Sequence, residues 1–474
     1  MLSCHQNMRA FFSLAIFLLW SSGASASDAK AEAPCEDLEC LLCDGLTDSS
    51  HYQEGVMKAM SQIAPGHDNW LFRSDFDLSN DFGIPDDMVP QFRRLIAALK
   101  NLGIEVAMVV QPTRGMLHAD KVREDKRYGF APDLARMKLT HFLAQLQEAG
   151  AIVPDVTRLL DMPKTEDYFF RRDHHWTPFG ARVTAELTVE ALLAHPVYED
   201  LAEKQFVTES VTKIAKDGTM NRALRQICGN NYGFQYVQGY QTVPAAEDGA
   251  DALFGDSGDP EVVLIGTSNS AARDEAFKNY NFEGFLKQGL SVDMLNYALP
   301  GAGQDGSLLN YLLSEDYDPE APPKLIIWEH PANWRLEDPL MYRELLPAIV
   351  GGCALNKKLV EPLTTALPAM AAGTRVELYA NAGRQQKDFT NQQGFIELNF
   401  SDANIRDFYV ITYYDNGMRD KVWYRRSAAV SGGRYLLELS TDATVRGANL
   451  LSVFLEPSEP FATDASVEFQ LCGY

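Results

Sequence analysis

The sequence predicts an α/β domain built on a parallel sheet, followed by a small all-β sandwich domain. Up to about residue 347, short apolar strands alternate with helices, which is typical of a parallel sheet with helical crossovers. Beyond that point, short apolar or alternating segments are separated by Gly, Asp and Asn turns, and little there has the pattern of a long helix. We therefore expect a leader over 1–26, a first domain over 27–347 and a second over 348–474.

The leader has the pattern of a cleaved secretion signal. A polar start containing His5 and Arg9 precedes an apolar core from Ala10 to Trp20, and Ala24-Ser25-Ala26 is a small-x-small cleavage site. We expect export across a membrane. No later stretch has the roughly eighteen apolar residues of a membrane span, so we predict no transmembrane segment in the mature chain. An N-terminal anchor that is not cleaved is the alternative.

Four helices and four strands are predicted in the first domain. Apolar residues at helical spacing predict the helices, and Thr177 followed by Pro178 is a helix start signal. The helices are expected over Pro90–Leu102, Leu134–Ala149, Thr177–His195 and Leu308–Ser314. The buried strands are expected over Ile104–Val110, Val262–Ile265, Val292–Ala298 and Leu325–Trp328.

Five strands are predicted in the second domain, with turns such as Asp415-Asn416-Gly417 between them. They are expected over Val376–Tyr379, Gly394–Phe400, Phe408–Tyr414, Tyr435–Ser440 and Leu450–Leu455.

The mature chain would contain six cysteines, an even number that suits an oxidising compartment: Cys35, Cys40, Cys43, Cys228, Cys353 and Cys472. Spacing alone does not choose their pairing, although Cys353 and Cys472 bracket the last segment and could join its ends. Cys40 and Cys43 form a CxxC pair, so a redox or metal site is an alternative. Because no strand pattern precedes this pair and no second CxxC is present, we favour disulfides.

The net charge of −23 and the isoelectric point of about 4.8 argue against a nucleic-acid partner. The charge is uneven, because the segment 348–474 is close to neutral. Only this segment could readily accept a polyanion, through a local basic patch.

Ser268 is the candidate nucleophile. It follows the strand Val262–Ile265 directly, within Gly266-Thr267-Ser268, and the carboxyl ends of parallel strands face the crevice where such sheets bind ligands. Its backbone N–H could also stabilise an oxyanion. An ordinary serine in a strand-to-loop turn is the alternative.

His175 and Asp173 are the candidate general base and its orienting carboxylate. A serine hydroxyl needs a base to remove its proton, and a carboxylate must hold that imidazole in the right tautomer. In an extended loop, residues two apart share a side, so His174 would point away. A metal site and a helix N-terminus stabilised by Asp173 are the alternatives. We predict no metal, because neither HExxH nor a paired cysteine set is present.

Two further loops suggest cofactors that we do not predict. Gly301–Gly306 matches GxGxxG, a motif of dinucleotide-binding proteins. Because an exported protein encounters little NAD, we instead interpret this segment as a glycine loop beside the site that provides backbone N–H groups. Glu247–Pro260 is acidic but lacks the ligand spacing of an EF-hand, so it is interpreted as a polar loop. We expect no cofactor.

Together these residues resemble the AlgX/AlgJ family of alginate O-acetyltransferases, which are SGNH-hydrolase-like. The resemblance covers nearly the whole mature chain, and the two-domain members of the family match its layout. The matching stretches are Asn69–Arg73, Val110–Gly115, Asp173–Pro178 (DHHWTP), Gly266–Ser270 (GTSNS), Asn281–Leu286 and Ile326–Glu329. The Asp–His block precedes the serine block here, as in the permuted topology of this family, whereas ordinary SGNH hydrolases have the reverse order.

The resemblance implies Ser268 as the acetyl-accepting nucleophile, His175 as base and Asp173 as its orienter. It implies disulfides Cys43–Cys228 and Cys353–Cys472, a periplasmic location and a C-terminal carbohydrate-binding module. The implied partners are alginate as polymannuronate, an acetyl donor that is a protein or a small molecule, and proteins of the alginate acetylation and export complex.

Substrate contacts are expected in both domains. We expect Arg114 to position a substrate carboxylate. In the second domain, aromatic faces suit sugar rings and cations suit uronate carboxylates, so Tyr413, Arg419 and Lys421 are predicted to bind the polymer. The alternative is that these cations only keep an exposed strand edge solvated and prevent it from pairing with another strand.

We therefore predict a periplasmic O-acetyltransferase that acetylates mannuronate hydroxyls through an acetyl-serine intermediate. An acetyl esterase, a polymer-binding scaffold without catalysis and an exported enzyme acting on another glycan remain the alternatives.

Overall fold

Four parallel strands form the sheet of the first domain, in the spatial order β3-β8-β6-β7. The computed structural model describes residues 42–245, 260–390, 392–426 and 432–474. The sheet strands are β3 (Glu105–Gln111), β6 (Val262–Ile265), β7 (Leu295–Asn296) and β8 (Leu325–Pro331). Every strand pair in this sheet is parallel, which confirms the predicted α/β class.

The helices pack in two groups: most of them cover the sheet in one core, and those over Gly55–Met60 and Thr219–Cys228 pack in a smaller separate cluster. The helices are α1 (Gly55–Met60), α2 (Val89–Asn101), α3 (Arg114–Leu117), α4 (Pro132–Glu148), α5 (Arg158–Asp161), α6 (Pro178–Leu193), α7 (Thr219–Cys228), α8 (Phe282–Leu290), α9 (Gly306–Leu312) and α10 (Pro339–Ile349). Thr177 caps α6 by accepting the N–H of Gly180 at 3.2 Å, and Pro178 opens the helix, so the predicted start signal is confirmed.

Two antiparallel hairpins complete the first domain. The short strands β1 (Ile63–Pro65) and β2 (Leu71–Arg73) pair with each other, as do the long strands β4 (Phe206–Lys216) and β5 (Gln235–Pro244). The predicted strand Val292–Ala298 is too long, because β7 is an edge strand that pairs with β6 over only Leu295 and Asn296.

The second domain is a sandwich of two four-stranded antiparallel sheets, as predicted. One sheet has the order β10-β15-β12-β13 and the other β14-β11-β16-β9. The strands are β9 (Lys357–Leu367), β10 (Val376–Ala380), β11 (Gly394–Phe400), β12 (Asp407–Tyr414), β13 (Arg419–Arg425), β14 (Arg434–Glu438), β15 (Leu450–Pro457) and β16 (Ala465–Gly473).

The two domains pack directly on each other. Helix α10 runs through the predicted boundary at residue 347, and Phe395 and Leu436 of the sandwich join the core of the first domain. Ion pairs also cross the junction, among them Arg343 with Asp420 at 2.7 Å. Residues 42 onward therefore belong to one compact unit.

Two disulfides tie distant parts of the chain together. Cys43 is bonded to Cys228, and Cys353 is bonded to Cys472. These are the pairs that the family resemblance implied. The predicted signal peptide, Cys35, Cys40 and nearly all of the loop Glu247–Pro260 lie outside the described residues. Among the described residues, no helix combines the length and apolar character required to cross a bilayer.

Candidate active site

Ser268 lies in the turn that follows β6, at the carboxyl edge of the parallel sheet. The turn is held by Glu329 of β8, which accepts the N–H of Thr267 at 2.7 Å and its hydroxyl at 2.8 Å. Gly266 is required by this close approach, because a Cβ there would lie 2.7 Å from the Glu329 carboxylate. Burial raises the pKa of Glu329.

The structure brings Ser268, His175 and Asp173 together in one hydrogen-bonded chain. His175 Nε2 lies 2.8 Å from the Ser268 hydroxyl oxygen. His175 Nδ1 lies 2.5 Å from Asp173 Oδ1. The imidazole is 13% exposed and the carboxylate 1% exposed, so the base can be reached from solvent while its orienting partner cannot. This arrangement can activate a serine hydroxyl for acyl transfer.

The backbone around Asp173 is a turn and not the expected extended loop. Asp173 Oδ1 also accepts the N–H of His175 at 3.0 Å, and Oδ2 accepts the N–H of Thr219 at 2.8 Å. The prediction that His174 points away is wrong, because its ring lies 3.9 Å from the His175 ring and lines the cavity that contains Ser268. His174 Nδ1 lies 2.9 Å from the hydroxyl of Thr219.

The prediction that Arg114 binds a substrate carboxylate is also wrong. Its side chain is 1% exposed and all of its N–H groups are used within the protein. Nε donates to Asp77, and the terminal nitrogens donate to backbone carbonyls of Leu71, Phe170, Arg171 and Asp173. Arg114 therefore supports the turn that carries Asp173 and has no donor left for a ligand.

The charges around the base favour a neutral imidazole. Burial lowers the pKa of His175, Asp173 opposes this, and the nearby cations Lys216 and Arg73 lower it further. Burial alone would raise the pKa of Asp173, but the charge and hydrogen bond of His175, with Lys216, hold it well below its usual range. An ionised carboxylate beside a neutral imidazole is the state that a general base requires.

The sequence reasoning missed Lys216 and Tyr280. Lys216 Nζ lies 3.7 Å from Asp173 Oδ1 and donates to the hydroxyl of Tyr280 at 2.5 Å. The Tyr280 ring lies 5.4 Å from the His175 ring. Neither residue belongs to a motif, since they reach the site from the end of β4 and from the loop before α8.

A cavity of about 450 Å³ opens at Ser268. Gly301 and Gly303 of the predicted glycine loop line it, and both have left-handed φ angles of 74° and 79°. Within the described chain, the backbone N–H of Ser268 donates to no protein acceptor, so it is available to an oxyanion. Other lining side chains include Arg73, Phe76, Gln111, Asn269, Asn333 and Trp334.

Asp173, His174 and His175 are also the one group of His, Cys, Asp and Glu side chains in the described ranges that could hold a metal ion. Their ligand atoms lie within 4.8 Å of one another. However, both nitrogens of His175 and both oxygens of Asp173 already take part in hydrogen bonds. A metal would have to displace the contact between His175 and Ser268, so the donor set fits acyl transfer better.

The residues predicted to bind the polymer lie on one face of the outer sheet of the sandwich. Tyr413 is paired across the strands with Arg419, and Ile411 of the same strand is paired with Lys421. Lys421 Nζ lies 2.7 Å from Glu456 and 3.8 Å from the centre of the Tyr409 ring.

A stacked pair of aromatic rings extends this face. The Tyr409 and Trp423 rings stack at 5.6 Å, and Trp423 is 44% exposed. The face therefore combines the cations and aromatic surfaces that sugar acids require.

Two family models match the chain. The first is described as an SGNH hydrolase-like domain, acetyltransferase AlgX, and matches residues 63–332. The second is described as a C-terminal carbohydrate-binding module and matches residues 352–474.

A curated protein and a solved structure are similar over nearly the whole chain, and a second curated protein is similar over somewhat more than half of it. The alginate biosynthesis protein AlgX of Pseudomonas aeruginosa is 33% identical over 468 residues, covering 97% of this chain and 94% of that protein. The probable alginate O-acetylase AlgJ of Pseudomonas syringae pv. tomato is 32% identical over 280 residues, which are 57% of this chain and 68% of that protein. The solved structure of Pseudomonas aeruginosa AlgX has a TM-score of 0.79 at 32% identity and covers 91% of this chain and 99% of that one.

Proposed function

The chain belongs to the AlgX family of SGNH hydrolase-like acetyltransferases, and from this membership we propose that it is a periplasmic O-acetyltransferase acting on mannuronate hydroxyls of alginate during export. The observation that carries the proposal is the hydrogen-bonded chain Ser268–His175–Asp173 at the carboxyl edge of the sheet. We name alginate as the acetyl acceptor because one relative is named an alginate biosynthesis protein and another a probable alginate O-acetylase.

In the first half-reaction, the Ser268 oxygen attacks the carbonyl carbon of an acetyl donor. His175 Nε2 takes the hydroxyl proton, and the contact with Asp173 keeps the other ring nitrogen protonated and stabilises the imidazolium. When the tetrahedral intermediate collapses, the bond between the acetyl group and the donor breaks. His175 gives its proton to the leaving group, and an acetyl ester remains on Ser268.

In the second half-reaction, a sugar hydroxyl attacks the acetyl-enzyme. His175 takes the proton of this hydroxyl and returns it to the Ser268 oxygen as the ester bond to the enzyme breaks. The backbone N–H of Ser268 donates to the oxyanion in both steps. Losing one such donor typically costs about 10²–10³ in rate.

Arg73 is the better candidate for the carboxylate contact that was assigned to Arg114. Its side chain is 18% exposed and lines the Ser268 cavity, and its partner Asp77 leaves part of the guanidinium free to bind. A second cleft of about 500 Å³ shares Gly301 and Gly303 with this cavity and extends to Trp423 and Arg425 of the sandwich. A polymer strand lying in both clefts would contact the two domains at once.

The disulfides support the proposed location, because such bonds persist in an oxidising compartment such as the periplasm. The proposed partners are the alginate polymer, an acetyl donor and the other proteins of the acetylation and export complex. No metal or cofactor is required by the proposed chemistry.

The test is mass spectrometry after incubation with p-nitrophenyl acetate. We expect a gain of one acetyl group on the Ser268 peptide in the wild-type protein and none in His175→Ala. His141→Gln is the control, since this histidine is exposed on α4 and does not line the Ser268 cavity, so the gain should remain intact. Absence of an acetyl adduct in the wild-type protein, under conditions that trap the intermediate, would reject the proposed mechanism.

Adding oligomannuronate then separates transfer from hydrolysis. A transferase moves the acetyl group to the oligosaccharide, and the product gains the mass of an acetyl group. Release of acetate at an unchanged rate, with no acetylated sugar, would identify an esterase instead.

A further inference from the structure

Lys216 is a buried ammonium group beside the Asp–His pair. It is the last residue of β4, and its side chain is 10% exposed. Among the described residues, the one hydrogen bond of its ammonium group is to the Tyr280 hydroxyl, and the rings of Phe170 and Tyr280 flank this group at 5.4 and 5.1 Å. A cation is rarely buried without a reason, because removing it from water is costly.

Asp173 does not need Lys216 to complete its hydrogen bonds. Its carboxylate already accepts three, from the backbone and ring of His175 and from the backbone of Thr219. The separation of 3.7 Å between Lys216 Nζ and Asp173 Oδ1 is too long for a further hydrogen bond. The effect of Lys216 on Asp173 is therefore electrostatic.

The charged and titratable groups facing the base come from several elements. Asp173 and His174 belong to the same turn, Arg73 approaches from β2, and Lys216 approaches from β4. The loop after β6 adds Arg273 and Lys278, which act on Lys216. Among the residues described, Asp173 is the one anion that forms an ion pair with His175, and Lys216 is the one Lys or Arg that forms an ion pair with the Asp173 carboxylate. Arg114, from α3, contacts Asp173 at its backbone carbonyl.

We infer that Lys216 is a positioning residue for the acyl transfer proposed above: its ammonium group offsets the charge of Asp173, so that His175 stays a neutral imidazole when Ser268 must lose its proton. A buried carboxylate alone stabilises the imidazolium and would favour a protonated base in the resting enzyme. A cation beside the same carboxylate oxygen that contacts His175 reduces that attraction. It also leaves a more acidic imidazolium to protonate the leaving group.

This inference rests on the proposed function but can be tested without either natural substrate. The probe is phenylmethylsulfonyl fluoride, whose sulfur forms a bond to the Ser268 oxygen as fluoride leaves and His175 takes the proton. The second-order rate of modification is measured from pH 5 to 9 by mass spectrometry of the Ser268 peptide. The variants are Lys216→Met, which is neutral and of similar length, and Lys216→Arg, which keeps the charge.

We expect the acid limb of the Lys216→Met profile to move to higher pH by about one unit, which is about tenfold slower modification at acidic pH. The rate at alkaline pH should be nearly unchanged. Lys216→Arg should keep the wild-type midpoint. A merely structural role would lower the rate at every pH without moving the midpoint, and an unmoved midpoint in Lys216→Met would overturn the inference.

Two further outcomes are distinguishable. If Lys216→Met does not fold, as judged by thermal unfolding, the same profile is measured on Lys216→Gln. If the wild-type serine is not modified at any pH, the proposed function fails, and the role of Lys216 fails with it. If only the midpoint shift is absent, the function stands and the inference about Lys216 is rejected.

Discussion

The guanidinium of Arg114 donates a 2.6 Å hydrogen bond to the backbone carbonyl of Asp173. The same nitrogen donates to the carbonyl of Phe170 at 2.5 Å, so one buried side chain holds both ends of the turn that presents the carboxylate. Asp77 pairs with Nε at 3.0 Å and balances the buried charge. The position of the proposed base relative to the sheet therefore depends on a residue that does not touch it.

Arg114→Lys should both destabilise the protein and slow the modification of Ser268. Lysine keeps the charge but cannot reach the four carbonyls and Asp77, so buried acceptors lose their donors. We expect a loss of roughly 3 kcal/mol in the free energy of unfolding, measured with urea. A displacement of the turn by about 1 Å should slow sulfonylation about a hundredfold.

Arg136→Lys is the matched control for this prediction. Arg136 is an exposed arginine of α4 that pairs with Asp161 and does not line the cavity. The control should keep most of the stability and the sulfonylation rate. Equal losses in the two variants would contradict a specific role of Arg114 in holding the turn.

The architecture could be predicted where burial leaves a pattern in the sequence. β6 and α6 have clear apolar runs or start signals, and both were located within two residues. The β4–β5 hairpin was missed because most of its residues face solvent, so it lacks an apolar run. β16 has an alternating pattern that the prediction did not use.

The candidate site could be predicted only where neighbouring residues carry the chemistry. Asp173 and His175 stand together before a helix, and Ser268 directly follows a buried strand, so local patterns indicate all three. Lys216 lies at the end of a solvent-exposed strand, and nothing local marks it. The role of Arg114 was misjudged because an arginine near a strand end looks the same whether its partners are a ligand or backbone carbonyls.

The rate of Ser268 modification should be constant at alkaline pH and fall at acidic pH with a midpoint below 6.5. Burial lowers the pKa of His175 from its usual value, so the imidazole is protonated, and lost as a base, only at lower pH than an ordinary histidine. The pKa of Asp173 is held well below its usual range, so protonation of this carboxylate should add no second inflection to the pH profile above pH 5. A pH profile of sulfonylation tests this, and a midpoint above 6.5 would contradict it.

Glu344 should make the protein less stable as the pH rises. This carboxyl lies at the domain junction, 2.7 Å from Arg426. Burial raises its pKa to about 7, Arg426 opposes this, and Asp305 adds to it. Because the native state holds a proton that the unfolded chain releases near pH 4.5, stability falls between about pH 4.5 and 7, by roughly 3 kcal/mol for this group.

Glu344→Gln isolates this contribution, since the amide has a similar shape and does not titrate. Urea unfolding of both proteins at pH 4.5 and pH 8 gives the difference in free energy of unfolding at each pH. We expect this difference to move in favour of Glu344→Gln by roughly 3 kcal/mol between the two conditions. A difference that is independent of pH would show that the carboxyl is ionised throughout.

The outer face of the sandwich should bind polymannuronate through two separable contributions. Trp423→Ala removes an exposed ring that stacks on Tyr409. We expect the affinity to fall about fivefold, and this loss should depend little on the salt concentration. Arg419→Ala removes an exposed cation with no ion-pair partner in the described chain, so the affinity should fall at low salt and much less at high salt. Calorimetric titration with oligomannuronate at two salt concentrations measures both.

Lys358→Ala, which removes an exposed cation on β9 of the opposite sheet, is the control and should leave the affinity unchanged. If Lys358→Ala weakens binding as much as Arg419→Ala, the polymer responds to overall charge and not to this face.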